Sequence, residues 1–487
     1  MSQIRVNDLT FHYEGSYDNI FEHTSFSVDT GWKLGFVGRN GRGKTTFLKL
    51  LMGEHDYEGT ISSSVAFDYF PFPVPDTSLT TEAVFVSIAD APRWRLEKEL
   101  NLLEVEPDAL DRAFSTLSPG EQTKVLLAAL FSRSGHFLLI DEPTNHLDME
   151  ARAVVSRYLS GKQGFILVSH DRAFLDGCVD HILSINRASI EVQKGNFTSW
   201  EENRRRQDNF ERAENERLTR EIEELHTAAK RTAEWSDRTE RSKIGEHVAD
   251  RGFVGAQSAR MMKRAKATER RQDNAAKEKE KLLKDLERND TLKVTPLRHH
   301  ADILVEALDL SIVYGGRTVT GPLNFTLRQG ERAALMGRNG SGKSSIVKLL
   351  MGEEIPHTGT LRTASGLVIS YMPQDTSFLS GTVLDFARAN ALDETLFLTI
   401  LRKLDFPRVQ FEKDMRSFSG GQKKKALLAK TLSERAHLYV WDEPLNFVDV
   451  LSRMQIRDLL FAAKPTMLFV EHDKTFVNEI ATREIRL

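Results

Sequence analysis

The stretch "GFVGRNGRGKTTFLKLLMGE" occupies residues 35–54, and "ALMGRNGSGKSSIVKLLMGE" at residues 334–353 repeats most of it. Each copy contains the pattern Gly-x-x-x-x-Gly-Lys-Ser/Thr between a short apolar run and a segment with helical spacing. A strand, this loop and a helix form the phosphate-binding loop, whose backbone N–H groups and helix N-terminus face phosphate oxygens. The repeat therefore predicts two phosphate-binding sites in one chain.

Further landmarks recur in the same order about 300 residues apart, as expected of an internal duplication. Lys44, for example, pairs with Lys343. Within the first copy the apolar runs "KLGFVG", "HFLLID" and "GFILVS" alternate with helical patterns and predict buried strands. The predicted fold class is α/β, with a largely parallel sheet in each of two tandem domains. We expect the first domain at residues 1–198 and the second at residues 299–487.

The whole-chain composition limits the classes of protein that fit. The 487 residues carry a net charge of −3 and a single cysteine, Cys178, which suits a reducing compartment and excludes an internal disulfide framework. The N-terminus lacks the basic and apolar regions of a secretory signal, and no stretch approaches the ~18 apolar residues that a membrane span needs. We therefore expect a cytoplasmic protein without a stable membrane partner.

Each copy also contains an apolar strand that ends in an Asp-Glu pair, in "FLLIDEP" at residues 137–143 and "LYVWDEP" at residues 438–444. At the end of a strand beside a phosphate-binding loop, the aspartate can hold Mg²⁺ through water and the glutamate can polarise an attacking water. The loop lysine reaches the outer phosphates, and the hydroxyl after it binds the metal. These roles fall on Lys44, Thr45, Asp141 and Glu142, and on Lys343, Ser344, Asp442 and Glu443.

Short motifs in both copies resemble those of the ATP-binding-cassette (ABC) ATPases. "LSPGEQ" at residues 117–122 and "FSGGQ" at residues 418–422 are similar to the signature motif of that family. "SHD" and "EHD" are similar to its histidine switch, at His170 and His472. The resemblance implies two ABC-type nucleotide-binding domains, called the first and second cassettes below, that bind ATP and Mg²⁺ and hydrolyse ATP. It also implies that the cassettes face head to tail, with each ATP between the phosphate-binding loop of one and the signature of the other.

The resemblance assigns residues of both cassettes to two composite sites. The implied catalytic residues are Glu142, Glu443, His170 and His472. The implied metal ligands are Thr45, Asp141, Ser344, Gln374 and Asp442. Site one would comprise Tyr13, Gly38, Asn40, Gly41, Gly43, Lys44, Thr45, Thr46, Asp141, Glu142 and His170 with Ser419, Gly420 and Gly421. Site two would comprise Tyr314, Gly337, Asn339, Gly340, Gly342, Lys343, Ser344, Ser345, Gln374, Asp442, Glu443 and His472 with Ser118 and Gly120.

Two departures from the family pattern predict that the sites are unequal. "YMPQD" places Gln374 where the family has a glutamine ligand for Mg²⁺, whereas "YFPFP" in the first cassette places Phe72 there. Pro119 replaces a glycine of the first signature and removes one N–H group, although proline is tolerated in the first turn of a helix. Since Phe72 cannot bind Mg²⁺, site one is expected to hydrolyse ATP more slowly than site two.

Residues 199–298, between the cassettes, form a linker of different composition. Almost half of its residues are charged, while apolar residues such as Phe210, Leu218 and Ile222 recur at helical intervals. Glycines interrupt this pattern near residues 243–256. The linker is therefore predicted to form two long antiparallel helices joined by a loop at its tip.

A basic segment at residues 251–271 contains seven basic residues and one acidic residue. A basic segment beside a hairpin tip suits contact with RNA phosphates, and Trp235, before the loop, and Phe253, within it, could stack on RNA bases. A solvated spacer whose charges only maintain solubility would show a similar composition, so the charge pattern leaves both interpretations open.

Three classes of ABC protein fit a cassette pair without a membrane span: a transporter ATPase, a DNA-repair or chromosome-structure ATPase, and an ABC-F translation factor. In the second class the helices interrupt one nucleotide domain, whereas here they separate two complete ones. The chain resembles ABC-F proteins in its tandem cassettes, its charged helical linker and "DEPTNHLD" at residues 141–148. The second cassette departs from that string with "DEPLNFVD" at residues 442–449.

Longer strings resemble the Lsa-type antibiotic-resistance proteins of the ABC-F family, among them "SARMMKRAK" at residues 258–266 and "WDEPLNFVDVLSR" at residues 441–453. That resemblance implies a monomer that binds the 70S ribosome when closed by ATP, at 23S rRNA near the exit site and the peptidyl-transferase centre, with P-site tRNA as a further candidate. It implies protection from lincosamides, pleuromutilins and streptogramin A compounds. The residues implied in drug displacement or RNA contact are Lys243, Phe253, Arg260, Lys263 and Arg264. A housekeeping ABC-F factor without a resistance role is the alternative.

Overall fold

The computed structural model describes most of both cassettes and part of the linker. The described residues are 2–13, 19–89, 91–133, 135–145, 147–185, 190–241, 263, 267–268, 270–271, 274–275 and 294–487. The chain divides into two units, one made of residues 1–200 and 289–487 and the other of residues 201–288. The first unit holds both cassettes, and the second holds the charged linker.

The first cassette alternates strands and helices, as the sequence predicts. Its strands are β1 (Gln3–Phe11), β2 (Phe21–Asp29), β3 (Lys33–Val37), β4 (Glu58–Ser62), β5 (Ala66–Phe70), β6 (His136–Asp141), β7 (Phe165–Val168), β8 (His181–Ile185) and β9 (Ile190–Lys194). Its helices are α1 (Lys44–Leu51), α2 (Thr81–Ile88), α3 (Arg93–Leu102), α4 (Pro119–Ser132), α5 (Met149–Ser160) and α6 (Arg172–Cys178).

The central sheet of this cassette has the strand order β5-β6-β7-β3-β8-β9, and its neighbours are parallel except for β8 and β9. A smaller antiparallel sheet has the order β2-β1-β4. Because β3 and β6 both pair in parallel with β7, their carboxyl ends lie at the same edge of the sheet. The phosphate-binding loop that follows β3 and the Asp-Glu pair at the end of β6 therefore meet there.

Side chains on the two faces of the central sheet enter two different cores. Along β6, Phe137 and Leu139 join the core shared with the antiparallel sheet and α1, whereas Leu138 and Ile140 join the core shared with the other helices. The alternation follows from the two-residue period of a strand. Burial on both faces explains why the strands appear in the sequence as nearly continuous apolar runs.

The linker begins with α7 (Phe197–Arg241), a helix of 45 residues. Leu218 and Ile222 are buried, but Phe210 is 68% exposed, so these three apolar residues do not share one buried face. At 3.6 residues per turn, Leu218 and Ile222 lie nearly above one another, whereas Phe210 is rotated away from both around the helix. The helix starts at Phe197, before residue 199, and the Phe197 side chain is fully buried in the core of the first cassette.

Most of the remaining linker lies outside the described residues. The predicted loop at residues 243–256 falls there, as do the implied contact residues Lys243, Phe253, Arg260 and Arg264. Lys263, within the predicted second helix, is helical and exposed. Across the part of the chain that the structure describes, no helix combines the length and apolar character needed to cross a membrane.

The second cassette repeats the architecture of the first. Its strands are β10 (Ile303–Tyr314), β11 (Arg317–Thr318), β12 (Leu323–Arg328), β13 (Arg332–Met336), β14 (His357–Thr363), β15 (Ile369–Met372), β16 (Leu438–Asp442), β17 (Met467–Val470) and β18 (Arg483–Arg486). Its helices are α8 (Lys343–Leu350), α9 (Val383–Ala389), α10 (Glu394–Lys403), α11 (Gly420–Ser433), α12 (Val450–Ala463) and α13 (Lys474–Ile480). The parallel sheet has the order β15-β16-β17-β13-β18, and β11, β12 and β14 pair with β10 in antiparallel fashion.

Candidate functional site

Each phosphate-binding loop joins a central parallel strand to the N-terminus of a helix. In the first cassette the loop connects β3 to α1, and in the second it connects β13 to α8. The residue before each helix has a positive φ angle, 90° at Gly43 and 91° at Gly342. Residues with a Cβ rarely adopt this left-handed conformation, so both turns require glycine.

The two loop lysines point into their own loops. Lys44 Nζ donates to the carbonyl oxygens of Gly38, at 2.8 Å, and Arg39, at 3.1 Å. Lys343 Nζ donates to the Gly337 carbonyl at 2.7 Å in the same way. Burial lowers the pKa of both lysines, although nearby carboxylates favour the charged form. These ammonium groups have the position and charge to donate instead to phosphate oxygens.

Hydroxyl and carboxylate oxygens meet where the Mg²⁺ ligands are predicted. Thr45 Oγ1 donates to Asp141 Oδ2 at 2.9 Å, and Tyr69 OH donates to the same oxygen at 2.9 Å. Ser344 hydrogen-bonds to Asp442 in the second cassette, where burial raises the pKa of Asp442 to about 6. Among the described residues, Asp442 Oδ1 is buried without a hydrogen-bond partner. An oxygen-only donor set with a buried carboxylate oxygen to spare fits a hard cation such as Mg²⁺.

The glutamate of the second cassette is surrounded by groups that stabilise its charged form. Glu443 Oε2 accepts hydrogen bonds from Gln374 Nε2 and Asn446 Nδ2, each at 2.6 Å, and Glu443 Oε1 lies 3.4 Å from His472 Nε2. Burial alone would raise the pKa of Glu443, but the neighbouring His472 and the hydrogen bond from Gln374 lower it overall. Glu443 is therefore a carboxylate, able to accept a proton from water.

The glutamate of the first cassette has different neighbours. Glu142 Oε1 lies 3.3 Å from His170 Nε2 and, among the described residues, makes no hydrogen bond. Phe72, at the position equivalent to Gln374, has no donor and packs against the core of the first cassette. Burial, and then the nearby charge of Asp141, raises the pKa of Glu142 to about 8. In this conformation the charged form of Glu142 is disfavoured, which makes it a weaker base than Glu443.

Both glutamates have positive φ angles, 51° at Glu142 and 49° at Glu443. This conformation is strained for a residue with a Cβ, and such residues occur preferentially at functional sites. The two tyrosines implied at these sites are also arranged alike, since Tyr13 OH lies 2.8 Å from Thr46 Oγ1 and Tyr314 OH lies 3.0 Å from Ser345 Oγ. Both tyrosines remain partly exposed, beside their phosphate-binding loops.

Each signature serine caps the helix that follows it. Ser118 Oγ accepts from the Glu121 backbone N–H at 3.3 Å, and Glu121 Oε2 accepts from the Ser118 backbone N–H at 2.8 Å. Ser419 forms the same capping box with Gln422. Pro119 is the first residue of α4, where its missing N–H breaks no helical hydrogen bond. The signatures thus have the same backbone structure despite this substitution.

Site one gathers residues of both cassettes around a cavity of about 420 Å³. Its lining includes Tyr13, Asn40, Gly41, Gly43, Lys44, Thr45, Thr46, Asp141, Glu142 and His170 with Ser419, Gly420, Gly421 and Phe447. Asn40 Nδ2 donates to the Phe447 carbonyl at 2.7 Å. A Cβ at Gly421 would lie 2.5 Å from that carbonyl oxygen and 2.9 Å from Asn40 Nδ2, so only glycine fits there. The second signature is therefore in contact with the first phosphate-binding loop.

Site two surrounds a larger cavity, of about 990 Å³. Its lining includes Tyr314, Asn339, Gly340, Gly342, Lys343, Ser344, Ser345, Gln374, Glu443 and His472 with Ser118, Pro119 and Gly120. Across this cavity, Arg338 of the second cassette pairs with Glu150 of the first at 2.7 Å. The structure thus brings the second phosphate-binding loop and the first signature to one cavity, which is more than twice as large as that of site one.

The sequence patterns did not predict several residues that lie at or beside these sites. Asn446 and Phe447 lie within the string "DEPLNFVD", which served only to indicate a family. Arg152 pairs with Asp171 at 2.8 Å, and Arg453 pairs with Asp473 at 3.0 Å, so the aspartates after the switch histidines are held by buried ion pairs. Asn446 could have been found by its spacing from the Asp-Glu pair, whereas the arginines give no local signal.

Composite sites built from phosphate-binding loops, Asp-Glu pairs and capped signature helices define an ATPase with paired nucleotide-binding domains. The family model described as "ABC transporter" matches residues 21–145 and 320–446, half of the chain. The chain therefore belongs to the ATP-binding-cassette family, and the relatives described next support its resemblance to the ABC-F proteins.

Relatives match nearly the full length of the chain. The ribosome protection protein VmlR of Bacillus subtilis (strain 168) is 28% identical over 97% of this chain and 85% of its own length. The ATP-binding protein Uup of Caulobacter vibrioides is 28% identical, over 96% and 74%. The probable ATP-binding protein YheS of Escherichia coli (strain K12) is 28% identical, over 93% and 74%.

Solved structures share the fold. The archaeal ribosome recycling factor aABCE1, in a crystal structure of its complex with the ribosomal stalk protein aP1, aligns with a TM-score of 0.63. That alignment covers 98% of this chain and 87% of the other, at 21% identity. The RNase-L inhibitor aligns with a TM-score of 0.61 at the same identity, over 99% of this chain and 87% of its own. The predicted tandem-cassette fold is therefore confirmed.

Proposed function

We propose that this protein binds the ribosome in an ATP-closed state and protects it from drugs of the peptidyl-transferase centre, of the lincosamide, pleuromutilin and streptogramin A types. The observation that carries the proposal is that residues of both cassettes line each of the two cavities, so that ATP bound there would hold the cassettes together. A relative that matches nearly the whole chain is a ribosome protection protein, which supports the ribosome as the partner.

In the proposed cycle, the signature serines and the phosphate-binding loops bind the same ATP from opposite sides. The Ser419 hydroxyl and the N-terminus of α11 would bind the phosphates at site one, and Ser118 with α4 would do so at site two. Mg²⁺, held by the hydroxyl, aspartate and glutamine ligands, would neutralise charge on the phosphates. At site two Glu443 accepts a proton from the attacking water, and loss of the γ-phosphate releases the cassettes.

The linker would act on the ribosome while the cassettes are closed. Its basic segment at residues 251–271 suits RNA phosphates, and the loop at residues 243–256 is the part proposed to reach the drug site. The contacts proposed are 23S rRNA near the exit site and the peptidyl-transferase centre, and P-site tRNA. A monomer in the cytoplasm, where ribosomes are found, is the form proposed to act.

Trapping the closed state tests the ribosome partner. Glu142→Gln with Glu443→Gln should block hydrolysis while preserving ATP binding, so that with ATP the variant co-sediments with ribosomes. The matched control adds Lys44→Ala and Lys343→Ala, which remove ATP binding and should leave the protein in the supernatant. If the trapped variant also stays in the supernatant, the ribosome proposal fails and a transporter partner should be sought.

A drug-susceptibility assay distinguishes a resistance role from a housekeeping role. The protein is expressed in a drug-sensitive strain, and the inhibitory concentrations are measured. Expression should raise the inhibitory concentration of peptidyl-transferase drugs, and deleting residues 244–255 should abolish the increase while ATP-dependent ribosome binding persists. No change for any such drug, with ribosome binding intact, would favour the alternative of a housekeeping factor. That alternative is supported by relatives whose names, Uup and YheS, state only ATP binding.

A further inference from the structure

An aspartate of the second cassette lies against the first phosphate-binding loop. Asp405 follows α10 in the chain and has a positive φ of 56°. Its Oδ2 lies 3.4 Å from Arg42 Nη2 and 3.9 Å from Arg39 Nε. The Arg39 side chain is only 8% exposed, and the Arg42 and Asp405 side chains are 30% and 35% exposed. These charges are partly shielded from water, so their attraction is stronger than that of a surface pair.

The loop that carries Asp405 is fixed to the signature helix of its own cassette. Lys425, on α11, donates from Nζ to the Leu404 carbonyl at 2.8 Å. The same ammonium lies 2.8 Å from Asp449 Oδ2, and both side chains are almost completely buried. Asp405 and the helix that begins after Ser419 therefore move as one piece. Electrostatic attraction of Asp405 to Arg39 and Arg42 therefore holds the second signature close to the first phosphate-binding loop.

The equivalent position in the first cassette is Glu104. It follows α3 as Asp405 follows α10, and its φ of 53° is nearly the same. Glu104 Oε1, however, accepts from Arg157 Nη1 of its own cassette at 3.3 Å. Across site two, Arg338 pairs with Glu150, and serine occupies position 341, which is equivalent to Arg42. The two sites therefore have equivalent loops but different ion pairs between the cassettes.

We propose, on the basis of the assignment of site one above, that Asp405 is a positioning residue for ATP at site one. It acts in trans by holding Arg39 and Arg42, which flank Asn40 in the phosphate-binding loop. It keeps Ser419 and Gly421 close to the bound triphosphate and slows the release of nucleotide from site one. Because Glu104 is held by Arg157 of its own cassette, site two opens more readily. The cavity sizes agree with this difference, about 420 Å³ at site one and about 990 Å³ at site two.

Nucleotide release from site one alone tests this role. In a chain with Lys343→Ala, which removes binding at site two, and Glu142→Gln, which blocks hydrolysis, Asp405→Asn should speed release of a fluorescent ATP analogue about three- to ten-fold. Asp405→Glu should restore most of the slow release. Glu104→Gln is the matched control and should leave release from site one unchanged.

A double-mutant cycle separates positioning from a general loss of structure. Arg42→Gln should speed release as Asp405→Asn does, and the double variant should be no faster than the more affected single variant. In the chain with Glu142 restored, hydrolysis of ATP already bound at site one should proceed at an unchanged rate.

The proposal would be overturned if an Asp405→Asn variant with a native melting temperature released the analogue at a rate within two-fold of the parent. It would also be overturned if the effects of Asp405→Asn and Arg42→Gln on release were fully additive, or if Glu104→Gln sped release as much as Asp405→Asn. If Lys44→Ala added to the Lys343→Ala chain still binds the analogue, the assignment of site one is wrong and the inference falls with it. A loss of ribosome binding without faster release would contradict the positioning role but leave the ATP sites as assigned.

Discussion

Glu142 and Glu443 follow equivalent strands in the two cassettes, yet their side chains have different neighbours. Glu443 accepts two amide hydrogen bonds, from Gln374 and Asn446, that keep it charged. In the first cassette Phe72 occupies the position of Gln374, and burial raises the pKa of Glu142 to about 8. The Asp-Glu motif is identical in both cassettes, so the difference arises from residues outside the motif. An intact motif is therefore not sufficient evidence for equal hydrolysis.

The contacts between the cassettes also differ from site one to site two. At site one, Asn40 donates to the Phe447 carbonyl and Asp405 faces two arginines of the phosphate-binding loop. At site two, an exposed pair, Arg338 with Glu150, crosses a cavity of about 990 Å³. We infer that site one is a holding site and that site two performs most of the turnover.

The largest expected effect is a loss of stability, and it concerns a buried ion pair that both cassettes contain. Arg152 with Asp171, and Arg453 with Asp473, are equivalent buried ion pairs. Arg453→Met leaves Asp473 buried without its cation and should cost about 3 kcal/mol of stability, or roughly 6 to 12 °C in Tm. Arg152→Met is the matched variant and should cost about as much. A much smaller loss for one of them in thermal denaturation would show that the frameworks of the cassettes also differ.

The next effect concerns the amide that only site two has. Gln374→Ala removes a hydrogen bond to Glu443 and a proposed Mg²⁺ ligand, so it should lower kcat about ten-fold. Steady-state ATPase assays measure this change. Phe72→Ala, the matched variant of the first cassette, removes no polar group and should change kcat less than about two-fold. Equal losses for the two variants would indicate that position 72 also takes part in hydrolysis.

A smaller effect is expected from giving site one the missing amide. Phe72→Gln, in a chain with Glu443→Gln so that only site one hydrolyses, should raise the residual rate about three-fold. The gain is limited because Phe72 also packs against the core of the first cassette. If the rate does not rise although the melting temperature is unchanged, the cause of slow hydrolysis at site one lies elsewhere.

The smallest effect concerns the proline in the first signature. Pro119→Gly restores one N–H group at the start of α4, facing site two, and should tighten ATP binding there about two-fold. Titration of a Lys44→Ala chain, which retains only site two, measures the affinity. Weaker binding would mean that the fixed φ angle of proline matters more than the missing donor.

Local patterns predicted much of this molecule. The strands were found because burial on both faces leaves continuous apolar runs, and the phosphate-binding loops because left-handed turns require glycine at positions 43 and 342. The contrast between Phe72 and Gln374 was also visible, because it is a difference between aligned copies. The composite nature of the sites came from family resemblance rather than from any local pattern.

Contacts between the cassettes could not be predicted from the residues. Asp405, Glu150 and Phe447 lie far in the chain from the loops they touch, and nothing in their immediate sequence indicates a partner. The helical spacing of apolar residues grouped Phe210 with Leu218 and Ile222, but Phe210 is exposed and lies on a different face of the helix. Such errors arise where a weak apolar pattern is extended over several turns.

A rapid-quench experiment on a single round of hydrolysis tests the inequality of the sites most directly. Protein loaded with two ATP per chain should form ADP in two phases of equal amplitude, a fast phase from site two and a slow phase from site one. Glu443→Gln should remove the fast phase and leave the slow one, and Glu142→Gln should do the reverse. Two equal rates in the parent chain, or loss of the fast phase on Glu142→Gln, would contradict the assignment of turnover to site two.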